Sequence, residues 1–169
     1  MKKAQFWYGD FLVAVLILMI IGMLFVTSIK DITSRNEILK ELILEASDIS
    51  STLMSEGYGT INDWNNGMGT IGLITNYKLD IGKLGNFLNL DYNNQRAMLG
   101  TINNVWIYLA DRNGDIVGNY DNSDKIGIQI NSVSDIPAKN LVHIKRFVFW
   151  EGDDENPSDI YILGVVIWQ

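Results

Sequence analysis

The longest apolar stretch of the chain is Phe11 to Ile29, FLVAVLILMIIGMLFVTSI, nineteen residues without a charge. Folded as a helix it would span about 28 Å at ~1.5 Å per residue, close to the ~30 Å hydrocarbon thickness of a bilayer. Beyond it the pattern turns from continuous to periodic. In DITSRNEILKELILEASDISSTLMSEG apolar residues recur at Leu39, Leu42, Ile43, Ala46, Ile49 and Leu53, at spacings of three and four, while Glu37, Glu41, Glu45 and Asp48 fall on the other side. That is the stripe of an amphipathic helix. No proline interrupts the run, and Gly57 with Gly59 supplies its stop. The pattern therefore predicts one helix of about fifty residues, apolar all round at first and one-sided afterwards. The stripe is only about two heptads long, short for a coiled coil on its own. A sheet of the same chain is expected to cover it, with pairing to another copy as the alternative.

After Gly59 the signals shorten. GYGTINDWNNGMGT reads as a turn-rich connector with one large aromatic, Trp64, expected against the long helix. Ile71 to Ile74 reads as a short strand. Asp80 is placed to cap IGKLGNFLNL, with Leu84, Phe87 and Leu88 on one face, and Asp91 to cap YNNQRAMLG, which ends on Gly100. From Asn104 the residues favour strands. NVWIYLA and DIVGNY flank DRNG, whose Asn113-Gly114 is a hairpin signal because both residues tolerate positive φ. KIGIQI predicts a further strand. LVHIKRFVFWEG and DIYILGVVIW flank the polar turn GDDENPS and read as a long antiparallel hairpin. Its second arm is apolar nearly throughout from Ile160 to Trp168, as a central strand requires. The fold class predicted is α+β: a long N-terminal transmembrane and amphipathic helix packed on a small head with an antiparallel sheet. The segments run 1–10, a short leader; 11–30, the membrane helix; 31–56, its amphipathic extension; and 57–169, the head.

Charge sharpens the placement. The net charge of the chain is −7, and the acids lie almost wholly after the apolar run, which disfavours nucleic acid as a partner. Lys2 and Lys3 before the run put the N-terminus in the cytoplasm and the head outside by the positive-inside rule, with Trp7 and Tyr8 at the interface. A cleaved secretory signal would look similar, but its core is usually about 7–15 residues and ends on an A-x-A site, which does not follow here. Cysteine is absent, so disulfides and thiolate metal sites are closed.

The chain offers little chemistry. His143 is the one histidine and stands in a predicted strand beside Lys145 and Arg146. Asp111, Asn113 and Asp115 alternate like the start of a calcium loop, with Asp121, Asn122 and Asp124 soon after. Ile116 occupies the place where an EF-hand needs glycine, so a hairpin turn is the simpler reading. Asp153, Asp154, Glu155 and Asp159 read as a solvated turn. No phosphate loop, no G-x-S-x-G elbow and no Asn-x-Ser/Thr sequon is present. No catalytic, cofactor or metal residue is assigned, no cofactor is expected, and the chain is read as a non-enzyme.

KKAQFWYGDFLVAVLILMIIGMLF, the continuing helix and the C-terminal sheet ending VVIWQ together resemble a type IV pilin-like protein of the archaeal kind. The resemblance is specific over the first thirty residues or so and architectural beyond them, although GYGTINDW and IGLITNYKLDIGKLGNFLNLDYNNQRAMLG also resemble heads found on such proteins. It implies that a prepilin peptidase removes a basic leader carrying Lys2 and Lys3. Cutting before Gln5, after Ala4, makes Asp10 the sixth mature residue; cutting before Phe6 makes it the fifth. It further implies partners in membrane lipid and in other pilin-like subunits, with Asp10 facing a neighbour's N-terminal amine. The expected function is a structural or minor subunit of a surface filament at the cell membrane. The alternative is a single-pass tethered binding or sensor module with no filament role. Without the resemblance, Asp10 reads as a wet marker of the headgroup boundary, suited to a helix start.

Overall fold

The computed structural model describes residues 3–127, 130–152 and 158–169. Helix α1 runs unbroken over Lys3–Leu53, 51 residues. The chain divides into two compact units, one up to Ile38 and one from Leu39 to Gln169.

In the first unit the apolar run is a helix with its side chains open to the surroundings, Val15 alone being half-buried. It is long and apolar enough to cross a membrane. Its two hydroxyl residues do not interrupt it. Thr27 Oγ1 donates to the carbonyl oxygen of Leu24 at 2.9 Å, and Ser28 Oγ donates to the same oxygen at 2.9 Å. Each side chain thus satisfies its polar group within its own turn, as a hydrocarbon environment demands.

The second unit is an α+β head. It contains the last turns of α1, then α2 (Ile61–Asn65), the strands β1 (Ile74–Thr75) and β2 (Lys78–Leu79), α3 (Ile81–Asn89), α4 (Tyr92–Leu99), β3 (Asn104–Ala110), β4 (Ile116–Asp121), α5 (Ser123–Ile126), β5 (Leu141–Trp150) and β6 (Asp159–Trp168). The main sheet has the order β4-β3-β6-β5, antiparallel throughout, so the last strand lies between β3 and β5. As its all-apolar sequence requires, Leu163 and Val165 to Trp168 are buried on both sides of the sheet.

Strand alternation assigns the two faces. One carries Val105, Ile107 and Leu109 of β3 with Leu163, Val165 and Ile167 of β6. On this side α1 is held by Leu42, Ala46, Ile49 and Leu53, all fully buried, and Arg146 Nε of β5 donates to Ser50 Oγ at 2.8 Å. The stripe therefore rotates slightly from the sequence reading. Ser50 belongs to the buried face, and Ile43 is 53% exposed because it sits one helical step to the side of Leu42. The other face carries Trp106, Tyr108, Ala110, Val166 and Trp168. It is covered by the connection from β4 to β5, which brings Ile130 and Ile136 into the same core. Farther along this face Phe147, Phe149 and Ile160 remain exposed.

Capping follows the sequence. Asp80 accepts the amide of Lys83 and Asp91 that of Asn93, while Gly100 ends α4 in the left-handed conformation at φ 70°. Leu84, Phe87 and Leu88 are buried as read. Trp64 is buried, and its short helix packs on α3 and α4.

Three local readings change. The strand expected at Ile71 to Ile74 shifts to Ile74–Thr75, because Asn76 and Tyr77 both adopt positive φ (51° and 64°) and turn the chain back into β2. The strand expected over KIGIQI starts instead as α5. Asp121 Oδ1 accepts the Ser123 amide, and Gly127 closes the turn at φ 76°. Ile128 and Gln129 lie outside the described residues. In the β3–β4 hairpin only Gly114 of the Asn-Gly pair takes positive φ, 93°. Asp111 Oδ1 accepts the amides of both Asn113 and Asp115, which makes an Asx-type turn. Of the turn GDDENPS, Asp153 to Pro157 lie outside the described residues.

Candidate functional site

Two regions bear on function, one in each unit. In the first, Ala4 and Gln5 lie in the opening turns of α1 with Phe6 after them, and the structure describes their helical backbone. Asp10 stands about two turns into the helix, exposed, with no hydrogen-bond or ion-pair partner among the described residues. The helix therefore has no acidic residue in its first turn. The stabilisation that a helix start gives a carboxylate fades within that turn, and Asp10 lies beyond the first described turn of α1.

The second region is a cleft of about 300 Å³ on the face of the sheet that the β4–β5 connection covers. Its floor comes from alternate residues of two strands, Trp106 and Tyr108 of β3 and His143 and Lys145 of β5. Gly114, Asp115 and Ile116 wall one side, and Asn131, Ser132 and Val133 the other. These two strands are not neighbours, since β6 lies between them. Gly164 of β6 pairs with Tyr108 on one side and Lys145 on the other. With no side chain there, the Tyr108 ring lies across β6 and its hydroxyl meets His143 Nε2 at 2.9 Å. A Cβ on Gly164 would fall 2.2 Å from Tyr108 Cζ. Gly164 is absent from the positive-φ residues, so space and not backbone conformation is what this position requires. Trp106 completes the floor with its ring 4.5 Å from that of Tyr108.

The electrostatics follow from this burial. Desolvation pushes the His143 imidazole below its usual pKa, and the Lys145 charge adds to that effect. Desolvation pushes the Tyr108 phenol up. The Tyr–His pair is thus neutral near pH 7, and Lys145 is the cation of the cleft. It has no ion pair among the described residues. Trp106 is 1% exposed, and its indole Nε1 is buried without a hydrogen-bond partner, an orphaned donor of a kind that folded proteins seldom tolerate. On the wall, Asp135 Oδ2 accepts the amides of Asn131 and Ser132, which fixes that segment.

Of the carboxylates that alternate like a calcium loop, Asp111 and Asp121 are spent locally. Asp111 closes its own turn, and its hydrogen bonds, led by the Asp115 amide, hold its carboxyl below the usual range. Asp121 binds Ser123, and Asp159 pairs with Arg112 at 2.6 Å. Asn122 is buried. Its Oδ1 accepts the Ile107 amide at 2.8 Å and its Nδ2 donates to Gln95 Oε1 at 2.9 Å. Gln95 Nε2 in turn donates to the carbonyls of Phe87 and Leu88. Asp153, Asp154 and Glu155 lie outside the described residues.

The sequence reading singled out His143 but not its partners. The i, i+2 spacing of Trp106 with Tyr108 and of His143 with Lys145 places each pair on one face. The strand order that brings the pairs together is not visible in that spacing. Comparisons with family profiles, with curated proteins and with solved structures give no match for this chain.

Proposed function

We propose that this chain is a pilin-like structural subunit, or a minor component, of a surface filament, anchored in the cell membrane by α1 with the head outside. The observation that carries the reading is the make-up of α1. One helix is apolar and uncovered over Phe11 to Ile29, and at its other end it supplies Leu42, Ala46, Ile49 and Leu53 to the core of the head. Such a helix joins a head to a segment that only lipid or other helices can cover. Lipid covers it while the subunit waits in the membrane, and neighbouring subunits cover it in a filament.

In this reading a prepilin peptidase trims the leader at Ala4, Gln5 or Phe6. The new N-terminal amine is then one to two turns from Asp10. A lone carboxylate at the edge of hydrocarbon is costly unless paired, and a neighbour's amine pairs it and fixes the axial register of the stack. Mass spectrometry of the N-terminus in native membranes tests the processing: loss of four or five residues is expected, and an intact Met1 refutes it. Asp10→Ala tests the pairing. Insertion is expected to be unchanged, because the apolar run suffices for it. Cross-linked oligomers or filaments are expected to fall sharply, since an unpaired buried amine costs about 3–5 kcal/mol per subunit. Equal assembly at equal membrane levels would return Asp10 to a boundary marker.

A second reading, a tethered binding module with no filament role, draws on the cleft in the head. Intact Met1 together with a monomeric state in the membrane would favour it.

A further inference from the structure

Another cleft of the head, about 330 Å³, lies between the β1–β2 hairpin, the start of α3 and the end of β5. That is the small end of ligand sites, with room for one ring rather than a length of chain. Trp150, half-buried, gives it an aromatic wall, and the Tyr161 ring packs against Trp150 with 5.9 Å between centroids. The charged groups of the cleft are already engaged. Lys78 of the hairpin and Glu151 after β5 pair at 2.5 Å. Asp80 accepts Thr75 Oγ1 at 2.9 Å and the Lys83 amide at 3.0 Å. Each keeps capacity to spare, since an ammonium carries three protons and a carboxylate accepts about four bonds. The Asn76 amide is exposed in the same lining and makes no side-chain hydrogen bond among the described residues. This combination sets the ligand. A free ion of either sign meets groups already taken. A wholly apolar ligand strips water from polar groups and gives them no hydrogen bond in return. A sugar ring suits both walls: its hydroxyls donate and accept at once, and its C–H face meets the negative face of an aromatic ring.

The hairpin tip supplies an independent observation. Thr75 pairs with Lys78, so the loop between them is only Asn76 and Tyr77, at φ 51° and 64°. Such a turn favours glycine at its second place. Tyr77 fills that place under strain while its side chain is 94% exposed, so its packing does little to offset the strain. It stands between two residues of the lining, Asn76 and Lys78. We propose that this cleft binds a neutral saccharide through one pyranose ring, stacked on Trp150 and hydrogen-bonded by Asn76, Lys78, Asp80 and Glu151, with Tyr77 as a second aromatic contact at the rim. The site uses no residue of the first unit, so it stands or falls apart from the filament.

The test uses the full chain in micelles of a phosphocholine detergent, which carries no sugar headgroup to compete. Tryptophan is labelled for indole NMR, and the Trp150 signal is identified by its loss in Trp150→Phe. The probes are the methyl α- and β-glycosides of glucose, galactose, mannose and N-acetylglucosamine, with cyclohexanol and acetate as controls. At least one glycoside is expected to move the Trp150 signal and to bind with a Kd of about 1–10 mM, the range for a ligand of this size. Tyr77→Gly is expected to weaken that binding about fivefold while the melting temperature holds or rises, because glycine takes positive φ without strain. Asn76→Gly keeps the turn for the same reason and is expected to weaken binding similarly. A purely structural role for the tip would lower neither affinity. The proposal is overturned if no glycoside binds with a Kd below about 20 mM, if cyclohexanol or acetate moves the Trp150 signal equally, or if both glycine variants bind as well as the parent.

Discussion

Replacing Gly164 by alanine adds one methyl group in the middle of the sheet, and the structure sets its cost. The new Cβ would stand 2.2 Å from Tyr108 Cζ, 2.4 Å from Cε1 and 2.8 Å from Cε2, whereas carbon atoms in contact prefer about 3.5–4.0 Å. The ring must withdraw by more than ~1 Å, and the Trp106 ring beside it restricts where it can go. Overpacking of this kind costs about 1–3 kcal/mol. The withdrawn hydroxyl also gives up His143, worth ~1 kcal/mol. Alanine returns about 0.5–1 kcal/mol by narrowing the unfolded ensemble. The net expectation is a loss of about 1–3.5 kcal/mol, or roughly 3–11 °C in melting temperature for a head of this size. Urea and thermal unfolding followed by tryptophan fluorescence give the value. A double-mutant cycle isolates the cause: in a Tyr108→Ala background the clash partner is gone, and Gly164→Ala is expected to be neutral or slightly stabilising. An equal cost in both backgrounds would refute the account of how Tyr108 crosses β6.

Two further outcomes follow from the head. Asn122→Ala leaves the Ile107 amide and Gln95 Oε1 buried without partners, and is expected to cost about 2–4 kcal/mol in urea unfolding; a loss under ~0.5 kcal/mol would show that water replaces the side chain. The pH dependence has a defined sign. The folded-state pKa of His143 is depressed by burial and then by Lys145, so the unfolded chain takes up a proton first. Stability therefore falls as pH drops through about 6.5 and levels off below the folded pKa. His143→Gln is expected to flatten stability between pH 7 and 5, and an unchanged slope would contradict the assignment. Asp63 and Asp111 act in a separate window. Their hydrogen bonds lower both pKa values from 3.8, so their contribution is complete above that pH and is lost as pH falls through the folded values.

The sequence was most legible where one local force decides the structure. The two periods of α1, the caps at Asp80, Asp91 and Gly100, and the hairpin of β5 with β6 each follow from short-range pattern. It was less legible where a turn competes with a strand. Asn76-Tyr77 lacks the glycine that usually signals a tight hairpin, and Tyr77 bears its positive φ without one. In KIGIQI the alternating isoleucines suit a strand, but Gly127 stops a helix as readily as it interrupts a strand, and the Asp121 contact to the Ser123 amide starts one. Long-range features left the weakest trace. Gln95 and Asn122 are ordinary surface-type polar residues in sequence, and only the packing of α4 against β3 makes them a buried network. The cleft depended on the order β3-β6-β5, which no spacing along the chain records.

That strand order also bears on how the head is made. During synthesis β3 and β4 emerge well before β6, and the ribosome adds about 5–20 residues per second. For a few seconds the nascent hairpin therefore exposes the apolar edge that β6 will later occupy. The sheet closes only when its latest strand slots between β3 and β5. Folding of this head waits on β6 and has many distant pairings, and is thus slow by the measure of contact order.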